Sequence, residues 1–382
     1  MKIIKEILTH FIIFIIFILS YFFSIKITRV YTARVGHLCI QLDYLIGWKK
    51  RNQGYFLLIA KDDHVSNKLI YNKLLHQLKH YIISKKLIYF YKLVNNSPIL
   101  KKKLMLEPIY QLNYNKKKNY TIKSNFEFNN IEKYKLKNLL VKKNIKKNFV
   151  VLHNRDKTYE NKFRDKLKDN NFHDHRNFDF LSYKKIIDEF SNIDFLRLGQ
   201  IASINKLSNK NFYDFTNKSY NELEMSFFIK KCKFMVTGAT GFLDIGGLIR
   251  KPILLVNFLP LQLSKFLFLP QNSIILPKKI YCLNKKKLLN IREIMSLKDK
   301  DIHKNYNFYE RNNLKVINNS KDEIFNAFCE MQKKLKKVGE KKSNFEKKIQ
   351  KKINLISGMK RLDEEYKINF SYSFFKNKNN LI

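Results

Sequence analysis

Two short stretches carry the residue types that could do chemistry. "FVVLHNRD" closes an apolar run on His153, Arg155 and Asp156, and "FMVTGATGFLDIGG", residues 234–247, holds four of the chain's ten glycines. The arginine is informative because the chain has 11 Arg against 64 Lys. Lysine is the residue of compositional drift here, so an arginine marks a place where the planar two-pronged contact to a diphosphate or carboxylate is wanted. Arg155, Arg176 and Arg197 all fall at or beside inferred strand ends, with structural ion pairs as the competing role for each. Asp156 can serve as the partner that orients Arg155. A base is a separate requirement. An imidazole as a side-chain type titrates near neutral pH, which makes His37, in "RVGHL", the candidate, with Asp43 in reserve. The competing role for His37 is support of the turn at Gly36.

The glycine cluster first suggests a turn that seats a dinucleotide pyrophosphate at a helix N-terminus. Its spacing argues against that. The third glycine would fall at Asp244, where a charged side chain stands in the phosphate path. No acidic residue occurs between Asp244 and Glu293, although a ribose-binding carboxylate is expected about 20 residues on. The motif also lies deep in the chain, and Tyr281 with Lys285 is too near to supply the catalytic Tyr-x-x-x-Lys pair of such a fold.

Positioning these residues takes an alternating fold. "YFLLIAK" (Tyr55 to Lys61) reads as a buried strand, and residues 66–91 have helical periodicity. The Lys/Asn-rich stretch 101–147 reads as loop and domain boundary. Strands follow at "NFVVLHNRD", "IDFLRLG", "KFMVTGATGF" and "KPILLVNFLP", with helices near 182–190 and 221–230. That alternation predicts an α/β fold with a mainly parallel sheet, whose ligands lie beyond the carboxyl ends of the strands. Asp179 and Tyr183 read as capping and packing the helix that follows them. From Asp322 to Ile356, Ile324, Phe328, Met331, Leu335 and Val338 recur at helical spacing behind a Ser320/Glu323 capping box, which predicts a helix packed back on the body.

The 382 residues, 45% of them hydrophobic, exclude a wholly disordered chain. A net charge of +43 invites a nucleic-acid reading, but the excess is Lys without interleaved Arg and aromatics, so no nucleic acid is expected. The four cysteines are far apart, which fits neither a metal site nor a small disulfide framework. Ile7 to Ile25 carries no charge and would extend about 28 Å as a helix, close to a bilayer's hydrocarbon thickness. An N-terminal membrane anchor over residues 1–25, spanning the bilayer or lying in its interface, is therefore expected, with the body in the cytoplasm and a cleaved signal peptide as the rival reading.

"RVGHL", "VVLHNRD", "HDHRNFDFLSY", "FLRLG", "CKFMVTGATGF" and "PILLVNFLP", in that order from about Arg34 to Pro260, resemble a family of bacterial glycosyltransferases associated with cell-surface polysaccharide synthesis. The resemblance implies a GT-B-like architecture, two Rossmann-like domains facing a cleft. The boundaries are then an acceptor-side domain at 26–140, a nucleotide-sugar donor domain at 141–300 and a Lys-rich helical tail at 301–382. It implies that His153 and Arg155 support the donor diphosphate, that Arg176 and Asn177 belong to the same site, and that Gly238, Thr240 and Gly241 let the backbone approach it, with Asp156 alongside. The chain departs from the family pattern at His175, Thr240 and Phe258, where an aromatic, a serine and a tryptophan are usual. The implied reaction moves a sugar from a nucleotide-sugar to a glycan or lipid-linked acceptor at the inner membrane, with no cofactor and no metal, in company with the membrane and other polysaccharide-assembly proteins. Two other readings stay open: an NAD-dependent nucleotide-sugar epimerase or reductase, and a non-catalytic membrane-associated glycan-binding protein.

Overall fold

The computed structural model describes residues 14–108, 123–158, 174–203, 207–218, 221–262, 269–297, 307–336 and 369–376, with isolated positions 11, 161, 344, 347, 350 and 351. The chain divides into two compact units, Met1–Phe128 and Asn129–Ile382. The division falls ahead of the boundary expected near residue 140.

The first unit is built on a parallel sheet in the order β1-β2-β3, from β1 (Ile25–Val30), β2 (Phe56–Lys61) and β3 (Tyr81–Ser84). Ile27 also bridges Met105 on the free edge of β1. Helix α1 (Val35–Arg51) connects β1 to β2. Beyond it come α2 (Lys68–Leu75), α3 (Leu87–Asn96) and α4 (Pro98–Leu104). The single helix expected over 66–91 is in fact helix, strand and helix. Its break lies at His80, held at φ 55, after which Ile82 and Ile83 pair with β2. These two β-branched residues fit a helical face by spacing and a strand by shape.

The expected membrane anchor finds no support among the described residues. Its first half, residues 1–10 with 12 and 13, lies outside the described residues. Residues 14–22 are helical, but Ile25 already begins β1. Among the described residues no helix is long and apolar enough to cross a membrane.

The second unit has a six-stranded parallel sheet in the order β6-β5-β4-β7-β8-β9. The strands are β4 (Phe149–His153), β5 (Asp194–Arg197), β6 (Phe212–Asp214), β7 (Met235–Thr237), β8 (Ile253–Phe258) and β9 (Ile274–Pro277). β4, β5, β7 and β8 are buried almost throughout, as apolar runs covered on both faces must be. A small antiparallel sheet of β10 (Lys279–Cys282), β11 (Lys287–Leu288) and β12 (Leu314–Ile317) follows. Helices include α5 (Lys184–Glu189), α6 (Glu222–Lys231), α7 (Gly241–Ile249), α8 (Asn307–Arg311) and α9 (Lys321–Lys336).

The predicted tail helix is α9 as far as Lys336, and Val338 with most of the remaining span to Ile356 lies outside the described residues. Its capping box is present, with Ser320 N donating to Glu323 Oε2 at 2.9 Å and Glu323 N to Ser320 Oγ at 3.1 Å. The Phe328 ring packs against Phe190, Phe195 and Phe234 at centroid distances of 4.9, 5.9 and 5.2 Å. None of the four cysteines forms a disulfide.

Candidate functional site

In the second unit the chain runs β4, β5, β6 outward in one direction and β7, β8, β9 in the other, so the sheet reverses between β4 and β7. The crevice beyond the carboxyl ends of two such strands is where an open parallel sheet binds ligands. His153 and Thr237, the last residues of these strands, are register partners. The two stretches singled out in the sequence are therefore the two lips of one crevice. This order also bears on the dinucleotide reading. A dinucleotide fingerprint follows the first strand of the pattern, but here that turn is His153–Asp156, and the glycine turn follows the fourth.

His153 Nδ1 lies 2.8 Å from the Leu198 carbonyl oxygen, so that nitrogen carries the proton and donates it. The ring stacks on Phe242 at 4.4 Å and 14°. Burial pushes its pKa down to about 4, against the upward pull of the Leu198 bond. The imidazole is thus neutral near pH 7 and contributes shape and hydrogen bonding.

A loop, residues 174–183, lies over the strand ends. Phe178 N donates to Arg155 O at 3.1 Å, Asn154 Nδ2 to Phe178 O at 3.2 Å and Tyr183 Oη to His153 O at 3.0 Å. At its far end Lys278, just past β9, donates from Nζ to Asn177 O at 2.8 Å. The loop therefore reaches from β4 across to β9 and brings Arg176 and Asn177 to the crevice. Gly238 makes this crossing possible. A Cβ there would stand 2.6 Å from Phe178 Cε1, so that side of Gly238 receives a ring of this chain.

Arg176 is close enough to Asp244 and Tyr309 to lower the pKa of both, although burial dominates and carries Asp244 up to about 7 and the Tyr309 phenol higher still. The Tyr309 ring lies 5.7 Å from the ring of His175. Burial lowers Lys278 to about 7. The turn bearing Arg155, the loop bearing Arg176, the buried Lys278 and the N-terminus of α7 thus share the carboxyl edge of the sheet. Thr240 caps α7, its Oγ1 accepting from Phe242 N at 3.1 Å, and Gly241 opens the helix. The close helix–sheet contact expected of a third glycine is made by Gly246, where a Cβ would stand 2.6 Å from Met235 Sδ.

Other candidates have structural duties. Arg197 is fully buried and donates to Ser203 O at 2.8 Å, Asp214 Oδ2 at 3.2 Å and Asn154 Oδ1 at 3.2 Å, with its guanidinium 4.2 Å over the Phe180 ring. Asp156 accepts from Ser203 N at 2.9 Å, Ser203 Oγ at 3.0 Å and Thr158 N at 2.9 Å. Burial pushes its pKa up, but these bonds together outweigh that and hold it below the ordinary carboxylate value. The expected pairing of Asp156 with Arg155 is replaced by this loop anchorage, with Arg197 at 3.9 Å.

In the first unit His37 occupies the first turn of α1, beyond the carboxyl end of β1. The intervening loop is pinned by Asp62, which accepts from Arg29 Nη2 at 3.2 Å and Ala33 N at 3.1 Å, and by Thr32 Oγ1, which donates to His64 O at 2.7 Å. The Tyr31 ring is 5.7 Å from that of His37. Asp43 is buried and accepts from Asn125 Nδ2 at 2.8 Å. A carboxylate closed off in this way cannot meet an acceptor from solvent, so its reserve role is not carried forward. Sequence reasoning missed Lys278 and Tyr309. Among 64 lysines one buried lysine has no distinguishing signal, apart from its place after a short apolar run. Among the described residues no three His, Cys, Asp or Glu side chains gather into a metal-binding group.

No family model and no curated protein matches the chain. Among solved structures, it is similar to a glycosyl transferase family 9 protein from Veillonella parvula over 81% of this chain and 97% of that one, at 9% identity and a TM-score of 0.47. It is similar to the ADP-heptose LPS heptosyltransferase II of E. coli over 82% and 100% of the two chains, at 9% identity and a TM-score of 0.41. The corresponding figures for the E. coli heptosyltransferase WaaC, solved with ADP, are 81%, 99%, 9% and 0.39. Likeness at this level carries no argument about chemistry, which has to come from the site.

Proposed function

We propose that this chain is a glycosyltransferase that binds a nucleotide-sugar donor at the β4/β7 crevice and passes the sugar to a surface polysaccharide or lipid-linked acceptor at the cytoplasmic face of a bacterial membrane. The observation that supports the reading is that the turn bearing Arg155, the loop bearing Arg176 and the N-terminus of α7 all lie at the strand reversal. As a glycosidic bond to a nucleoside diphosphate breaks, negative charge grows on the leaving group. Fixed arginine forks and backbone N–H groups stabilise that charge. Gly241 and Thr240 keep the start of α7 open to the phosphates. Lys278 holds the loop that carries Arg176. If the transfer inverts the anomeric configuration, the acceptor hydroxyl loses its proton to His37, and no metal is required to neutralise the leaving group.

The test is turnover of purified protein with a panel of nucleotide sugars and a glycolipid or polysaccharide fraction, followed by release of nucleoside diphosphate. His37→Ala is expected to cut that release by roughly 10²- to 10⁴-fold, as loss of a general base does, with donor affinity unchanged. Turnover retained in His37→Ala would remove the base assignment, and failure of every nucleotide sugar to bind would remove the function.

A further inference from the structure

Residues 14–22, "FIIFILSYF", form a helix without a polar face. One side is already used. Ile16 and Phe17 pack on the cluster that contains Ile27, Leu58, Phe90 and Leu104, and Ser20 is buried, its Oγ donating to Phe17 O at 2.6 Å. The opposite side is as apolar and faces out: Phe14 is 58% exposed, Phe22 78%, and Phe23 just beyond the helix 62%. A helix at a water-facing surface normally turns charged and polar residues outward, and one that is hydrophobic all round is covered on all sides.

Charge identifies the cover. From His64 to Leu106 the first unit carries no acidic residue, and lysines adjoin the apolar face. The Lys103 ammonium lies 4.2 Å over the Tyr21 ring, Lys26 Nζ donates to Lys103 O at 2.6 Å, and Lys101 and Lys102 precede it on α4. Apolar rings beside a run of ammonium groups match a phospholipid surface, acyl chains below and phosphates above. The packed side decides how the helix meets that surface, because Ile16 and Phe17 are held on the unit's core and keep the helix against the surface.

We infer that the helix at 14–22 lies in the surface of an anionic phospholipid leaflet, with Phe14, Phe22 and Phe23 among the acyl chains and Lys101, Lys102 and Lys103 at the phosphates. This rests on the first unit alone and stands apart from the donor-site reading. The full-length protein should sediment with vesicles of phosphatidylcholine plus phosphatidylglycerol, far less with phosphatidylcholine alone, and leave them in alkaline carbonate. Replacing Phe14, Phe22 and Phe23 together by Ser should weaken the partition about a hundredfold or more, given the apolar area withdrawn from lipid. Replacing Lys101, Lys102 and Lys103 by Gln should weaken it more than tenfold, on anionic vesicles only. Circular dichroism and thermal melting unchanged from the parent show that both variants fold. Parent-like sedimentation of the folded Phe variant, resistance to carbonate, or a lipid-free dimer that the Phe substitutions dissociate would each overturn the inference.

Discussion

Lys278 shows how a single side chain acquires a role that its residue type does not announce. Burial lowers its ammonium from 10.5 to about 7, while its Nζ secures the loop bearing Arg176. Between those two pH values the folded state binds fewer protons than the unfolded chain, so rising pH favours folding through that window. Lys278→Met removes this contribution. Denaturant unfolding between pH 7 and 10 should show a smaller gain in stability for the variant than for the parent, and equal gains would place the ammonium in solvent. Gly238 is the second such position. In Gly238→Ala the new methyl group must displace the Phe178 ring, at about 1–3 kcal/mol as overpacking usually costs. Because Phe178 N is bonded to Arg155 O, nucleoside-diphosphate affinity should fall with stability. Unfolding and calorimetric titration of the same variant test both expectations.

At the scale of elements, the second unit was far more legible than the first. Its strands are covered on both faces, so β4, β5, β7 and β8 announce themselves as continuous apolar runs ending in polar turns. The site residues at those turns were therefore visible too. β6 and β9, the two edges of the sheet, are not among the predicted strands. The first unit hid β1, because Ile25 read as the end of a lipid-facing run, and β3, because four residues after a left-handed His80 cannot outvote the helical spacing around them. Spacing reports local period, whereas pairing partners are supplied by the rest of the fold. The tail helix was legible through its capping box, and its depth in the core appears only in the structure. With Phe328 packed among Phe190, Phe195 and Phe234, Phe328→Ala should destabilise the second unit by about 3–5 kcal/mol. A loss below 1 kcal/mol on urea unfolding would mean that α9 is an appendage.

At the scale of the whole molecule, the chain is two α/β units, Met1–Phe128 and Asn129–Ile382, each with a parallel sheet. The donor chemistry and the candidate base are assigned to different units. A ligand bound to folded protein stabilises it by about 2.7 kcal/mol at a hundred times its Kd. Nucleoside diphosphate should therefore slow hydrogen exchange at the strand ends of the second unit, around residues 153–156 and 237–241, and leave β1 to β3 unaffected. The central claim is that the β4/β7 crevice holds a nucleoside diphosphate through arginine forks, and calorimetric titration tests it most directly. The parent, Arg155→Lys and Arg176→Lys would each be titrated with nucleoside diphosphates, nucleotide sugars and NAD, with circular dichroism as the fold control. We expect saturable nucleoside-diphosphate binding by the parent, tenfold or more weaker in each lysine variant although the charge is kept, and no saturable binding of NAD. Saturable NAD binding by the parent, or nucleoside-diphosphate affinity equal in all three proteins, would contradict it.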